Sequence, residues 1–420
     1  MAGKTISEKI LSSKSNTDAR VGDIVVCDVD LVVGTDASSP MAIAYFERMG
    51  GTRLFDPSRV VFALDHYSGT PTPTTAAFHD EVRAFATRHG VELHEIGEGI
   101  SFQIVAETAR ALPGDLIIGA DSHTVTCGAL NLFATGIGSS DLAAAMITGR
   151  IWLRVPDTIK VVLRGERPFG LAPKDLALAL VAELGAEGAN YQTIEFHGAG
   201  VGQFSLEDRL VIANLAVESG AKAAIFPFDW ETETYLASRT TRPAHSVRSD
   251  PDAFFANEVM IHLNKLTPRV ALPHSPNDVV EINEALGTRV DMVFLGTCTG
   301  GRVSDFHEAL RILELAGGRV AKAVQLVVTP ASAQVRDRLT EDGTLARFTE
   351  LGAIVTTAGC GACCGTAGVI PADGANVLST ANRNFKARMG NATASIYLAS
   401  PATCAASAAT GRITDPRTFG

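Results

Sequence analysis

Met292-Val-Phe-Leu295-Gly296-Thr-Cys298-Thr-Gly-Gly-Arg302 is a short apolar run that ends in a glycine-rich loop carrying one cysteine. Further on, the run 353–355 leads into Gly359-Cys360-Gly-Ala-Cys363-Cys364-Gly365. Short apolar, β-branched runs bounded by glycine read as buried strands. A third such run, 324–328, lies between them. The connecting stretches carry helical spacing: 304–315 sets Phe306, Ala309, Leu310 and Leu313 on one face, and 331–351 is a helical segment broken by Gly343. Strand, helix and strand in this rhythm predict parallel sheets with helices on both faces. In such sheets, sites sit just beyond the carboxyl ends of the strands.

The same pattern holds toward the start. Residues 60–64 read as a strand and 74–89 as a helix, with Phe78, Val82 and Phe85 on one face and Gly90 as its stop. Residues 91–96 and 116–118 read as further strands. A length of 420 residues predicts several domains. Proline- and charge-rich stretches near 165–173 and 229–251 divide it into three α/β units, 1–165, 166–275 and 276–420. With 46% hydrophobic and 20% charged residues, the chain is too apolar to be disordered. A net charge of −10 argues against non-specific binding to nucleic acid or anionic membranes, although local arginines can reverse the field in a cleft. No apolar run approaches the roughly 20 residues of a membrane span, and MAGKTISEKI lacks the apolar core of a signal peptide. The expectation is a cytoplasmic chain with neither a nucleic-acid nor a membrane partner.

The 7 cysteines are odd in number and sparse, which does not suit a disulfide framework. If the two glycine-rich loops leave one edge of one sheet, Cys298 can approach Cys360 and Cys363. Three thiols would then converge with no evident fourth. Structural zinc and electron-transfer iron–sulfur sites take four ligands. Three would leave one metal position open to act as a Lewis acid. By itself, CxxC among glycines leaves redox, zinc and cluster roles open. Cys27, Cys127 and Cys404 read as small buried apolar residues. Cys364 adjoins Cys363, and adjacent side chains do not easily face one cluster.

Two Asp–His groupings follow predicted strands: Asp65-His66 and Asp121-Ser122-His123. A carboxylate can orient an imidazole and raise its pKa toward neutrality, although a strand-end histidine is commonly structural. Residues 205–220 read as a helix with Ser205 as cap, Asp208 three on, and Gly220 as stop. Asn214 and Glu218 share a face there, within an apolar stretch. Asn382-Arg383-Asn384-Phe385-Lys386-Ala387-Arg388 offers two guanidinium forks for carboxylates, or surface ion pairs.

Together these pieces resemble the aconitase family, in the branch of the 3-isopropylmalate dehydratase and homoaconitase large subunits. The resemblance covers nearly the whole chain. It is most specific in IIGADSHTVTCGALNLFATGIGSSDLAAAM (117–146), LGTCTGGR (295–302), and GCGACCG with STANRNFKARMG (359–390). It implies three α/β domains with mainly parallel sheets around a central [4Fe-4S] cluster. Cys298, Cys360 and Cys363 would ligate that cluster, leaving one iron free of protein sulfur. Asp65, His66, Asp121, His123 and Glu218 would be catalytic, and Asn214 and Asn382 would support the cluster. Arg383, Arg388 and Ser122 would contact a small dicarboxylate substrate. The implied activity is that of a hydro-lyase or isomerase that dehydrates and rehydrates a hydroxy dicarboxylic acid: 3-isopropylmalate, or alternatively homoaconitate, dimethylmalate or another alkylmalate. The family's swivel domain, with its catalytic serine, is absent and would sit on a separate small subunit, without which this chain would be inactive. A non-catalytic alternative is a cluster-responsive RNA-binding protein.

Three departures stand out. Phe102 replaces a family histidine in Gly97-Glu-Gly-Ile-Ser-Phe-Gln103, Thr35 precedes Asp36 in place of His or Gln, and Gly300 replaces the asparagine of the cysteine loop. They predict an altered pocket, suited to a bulkier or less polar substrate, and a changed proton relay at Asp121.

Overall fold

A computed structural model describes residues 3–68 and 72–420. Within 31–136, five strands run in the order Glu92–His94, Val60–Ala63, Leu31–Thr35, Leu116–Gly119, Phe133–Gly136, all parallel. Three of them, Leu31–Thr35, Val60–Ala63 and Leu116–Gly119, are buried at every position, which is why their sequences are continuous apolar runs rather than alternating ones. The helix Pro73–His89 starts at Thr72 and ends at Gly90 in the left-handed region. Val82 and Phe85 face the core, while Phe78 is half-buried.

A second sheet, also parallel, has the order Ala223–Ile225, Thr193–His197, Thr158–Arg164, Asn257–His262. The third has seven strands: Val279–Glu281, Arg269–Ala271, Ser395–Leu398, Asn376–Ser379, Met292–Leu295, Gln325–Val328, Ile354–Val355. Its first two strands are antiparallel additions and the rest are parallel. The predicted helical segment 331–351 is two helices, Ala333–Glu341 and Thr344–Glu350, hinged at Gly343 with φ 83°.

Thr158–Arg164 pairs in the second sheet and Arg269–Ala271 in the third. The first two sheets share one core, in which Val33, Val61 and Ile117 meet Ile159, Phe196 and Phe226. The third has its own, around Val293, Leu295, Phe306, Leu326 and Phe348. Each fully buried side chain of this size contributes about 1.5–3 kcal/mol. Among the described residues, no helix is long and apolar enough to cross a membrane.

Candidate functional site

Three loops leave the carboxyl edge of the third sheet. Met292–Leu295 delivers Cys298, Ile354–Val355 delivers Cys360, Cys363 and Cys364, and Asn376–Ser379 delivers Asn382, Arg383 and Arg388. Gln325–Val328 stands between the first two strands, and the second cysteine loop folds over the small residues that follow it. Gly359 N–H donates to Pro330 C=O at 3.1 Å. Gly361 has φ 57°, and a Cβ there would come within 2.6 Å of the Thr329 hydroxyl oxygen, so only glycine fits this crossing. The turn Gly361–Cys364 is a 3₁₀ helix preceded by Cys360. Its three-residue period eclipses positions i and i+3, which sets Cys360 and Cys363 on the same side. On the other loop, Thr297 is held at φ 70°, an uncommon conformation for a β-branched residue, immediately before Cys298.

The sulfurs are furnished with donors. Cys298 Sγ accepts from Asn214 Nδ2 at 3.1 Å and from Asn382 Nδ2 at 3.3 Å. The other end of the Asn382 amide accepts from Cys363 Sγ at 3.6 Å, so one side chain spans two cysteines. Arg388 Nη2 reaches Cys363 Sγ at 3.7 Å. Burial pushes the Cys298 thiol up to about 12. Without a metal these groups are thiols; amide N–H groups aimed at sulfur suit the thiolates that an iron would create. The donor set therefore fits an iron–sulfur group.

Opposite lies the carboxyl edge of the first sheet. His66 Nδ1 contacts Asp65 Oδ1 at 2.7 Å, and its Nε2 faces Asp121 Oδ2 at 3.4 Å. Asp65 Oδ2 also accepts from Ser101 N–H at 2.9 Å. Burial opposes charge on His66, yet Cys360, Asp65 and Asp121 around it raise its pKa well above the ordinary imidazole value. The second unit closes the side through the helix Leu206–Leu215 and the turn Ala216–Ser219. Ser205 and Asp208 form the expected cap, and Gly220 the stop. Glu218 contacts His123 Nε2 at 3.1 Å and accepts from Arg383 Nε at 2.8 and 3.1 Å. Burial would raise the Asp121 and Glu218 carboxyls. His123 with His66 holds the first well below the usual range, and His123 with Arg383 holds the second below it.

A depressed carboxylate stabilises the fold above its unfolded pKa, and that contribution disappears as pH falls through the folded value. Glu218→Gln is therefore expected to cost about 3 kcal/mol at neutral pH. It should also flatten the decline in stability between about pH 5 and 3. Urea unfolding across that range checks this; slopes identical to wild type would refute it.

One cavity of about 280 Å³ is lined by Asp65, His66, Asp121, His123, Cys298, Cys360, Cys363, Cys364, Asn382, Arg383 and Arg388. Asn214 and Glu218 stand behind this wall and act on it through Cys298, Asn382, His123 and Arg383. Ser122 does not belong to it. It borders a separate depression with Gly136, Trp152 and Lys222. Cys364 lines the same cavity as Cys363.

The sequence departures acquire physical reasons. A side chain at Gly300 would collide with Thr380, whose hydroxyl oxygen accepts from Gly296 N–H at 2.9 Å. Phe102 is buried against Val33, Val61 and Val105 and turns an apolar face to the cavity. Asp121 nevertheless keeps polar partners in His66 and in His123 N–H, the latter at 2.7 Å.

Two residues were missed from sequence. Asp36 accepts from the N–H groups of His66 and Tyr67 at 2.9 and 3.0 Å and contacts His79 Nε2 at 3.0 Å, which fixes the Asp65-His66 turn. Its place at the end of the central strand was the available signal. Lys174 is fully buried on the helix Pro173–Leu184. Its Nζ donates to Thr380 C=O at 2.9 Å, Ala381 C=O at 2.6 Å and Thr299 Oγ1 at 3.1 Å.

The aconitase family model (aconitate hydratase) matches residues 8–289 and 284–411. The chain is 43% identical over 418 residues to 3-isopropylmalate dehydratase large subunit 1 of Methanopyrus kandleri, covering 99% of this chain and 100% of the relative. It is 44% identical over 420 residues to large subunit 2 of Archaeoglobus fulgidus and 43% identical over 420 residues to large subunit 1 of Thermotoga maritima, each with 99% and 100% coverage. The crystal structure of Thermococcus kodakaraensis aconitase X in its holo-form superimposes with a TM-score of 0.50 at 12% identity, covering 86% of this chain and 84% of that one, which is a likeness of fold. The chain belongs to the aconitase family. It is an enzyme of that family's hydro-lyase class.

Proposed function

We propose that the chain is the large subunit of a 3-isopropylmalate dehydratase, which removes water from a hydroxy dicarboxylic acid and returns it. The observation that carries this is the single cavity shared by three cysteines, two arginines and two Asp–His groupings. Cys298, Cys360 and Cys363 would hold a [4Fe-4S] cluster with one iron lacking protein sulfur, and Asn214 and Asn382 would donate to its sulfurs. When bound, the cluster supplies a Lewis acid for the substrate hydroxyl.

The chain's own side chains supply the general acid and the carboxylate contacts. His66, oriented by Asp65 through Nδ1, carries a proton at Nε2 toward the cavity and serves as general acid for the departing hydroxyl. Asp121 and His123 keep that proton in place. Arg388 has a buried Nε without a partner among the described residues, and with Arg383 it would take the substrate carboxylates. Phe102, Ile100 and Ala37 form an apolar wall suited to an alkyl substituent. The base for the neighbouring C–H would come from the small subunit, in keeping with the "large subunit" names of the relatives. The three units 1–165, 166–275 and 276–420 would act as walls around the site, and the enzyme would work in the cytoplasm.

Anaerobic reconstitution with iron and sulfide, with and without the small subunit, tests this against a panel of alkylmalates. About four irons and four sulfides per chain are expected, with turnover of 3-isopropylmalate only when both subunits are present. One zinc and no sulfide, or full activity of the large chain alone, would overturn it.

A further inference from the structure

Cys364 is the one cavity-lining cysteine that the cluster reading leaves without a task. The 3₁₀ turn Gly361–Cys364 gives it a distinct direction from Cys360 and Cys363, one step round a three-residue helix. It still faces the same cavity, together with His66, Tyr67, Thr366 and Arg388. Its sulfur rests 2.8 Å from Thr366 Oγ1, and that hydroxyl donates its own proton to His66 C=O at 2.7 Å. The Cys364 S–H is therefore the donor in its pair with Thr366, and the thiol lines the cavity rather than lying outside it.

We propose that Cys364 is a reserve sulfur ligand for the iron that Cys298, Cys360 and Cys363 leave uncovered. This rests on the cluster reading above. In the substrate-free enzyme, Cys364 would release its proton to solvent and form an Fe–S bond in place of a water. On arrival of the hydroxy dicarboxylate that bond would break, and the thiol would regain a proton from solvent and return to Thr366. No electrons are exchanged. A fourth soft ligand retains an iron that would otherwise be lost to oxidants, so the resting enzyme is protected and the working enzyme keeps its open position.

The test uses reconstituted wild type, Cys364→Ala and Cys364→Ser, free of substrate and treated with ferricyanide. Loss of the fourth iron is followed by the EPR signal of the three-iron cluster and by chelator capture of the released iron. Both variants are expected to lose it at least about ten-fold faster than wild type. Serine keeps the contact to Thr366 but not the sulfur. A serine variant as slow as wild type would therefore assign the effect to the hydrogen bond and overturn the proposal. Equal rates in all three proteins, each starting with a full four-iron complement, would overturn it while leaving the cluster reading intact. Absence of iron and sulfide from all three would overturn both.

Discussion

Cys298→Ser is expected to fold normally, to contain neither iron nor sulfide after reconstitution, and to lose at least about a thousand-fold in turnover. The substitution is nearly isosteric, and the two amides that converge on Cys298 Sγ, from Asn214 and Asn382, can donate to a hydroxyl as readily as to a thiol. The fold therefore has no reason to fail. The metal does. Burial pushes the Cys298 thiol up to about 12 in the metal-free protein, and only coordination to iron makes its ionisation favourable. A serine hydroxyl is harder and less acidic, so the same site can no longer supply the third sulfur. Iron and sulfide assays with a thermal melt separate the two effects. A normal iron and sulfide content would show that the sulfur at this position is dispensable and refute the three-cysteine set.

Lys174→Met is expected to destabilise the protein by about 3–5 kcal/mol and to loosen the loop that carries Asn382 and Arg383. Methionine fills comparable space, so the loss is electrostatic. Lys174 comes from the second unit, and all three ammonium protons are used on the third: two on the carbonyls of Thr380 and Ala381, one on Thr299. Because Thr299 Oγ1 itself donates to Thr380 C=O at 2.7 Å, its lone pair is left to accept from the ammonium. Burial lowers the Lys174 pKa to about 8, against the pull of the Cys298, Cys404 and Cys363 thiols. Removing the donor strands the buried Ala381 carbonyl. Urea unfolding should show a lower midpoint at an unchanged m-value. A loss under about 1 kcal/mol would refute this account.

The two residues differ in how far their sequence surroundings announced them. Cys298 follows a continuous apolar strand and sits among glycines, so the local pattern carries both strand and loop. The same is true of Asp65-His66 and Asp121, each placed by the strand before it, and of the helix from Ser205 to Gly220, whose cap and stop are local. Lys174 lies in the first turn of a largely buried, apolar helix, and its acceptors are backbone carbonyls more than two hundred positions away. Backbone acceptors leave no mark in a sequence. Ser122 is a different case: adjacency to Asp121 and His123 does not fix which depression a residue in a tight turn borders. The antiparallel pair Ile24–Asp28 with Arg150–Arg154, and the edge strands Arg269–Ala271 and Val279–Glu281, need partners that no local periodicity reveals. The strands Asn376–Ser379 and Ser395–Leu398 were likewise invisible until their neighbours were known.

The two cysteine-bearing loops and the Asn382–Arg388 loop spring from one packed sheet, and that sheet is complete without them. The framework and the chemistry are thus carried by separate stretches of sequence. Substitutions confined to those loops should reshape the site while the strands beneath them keep their pairing.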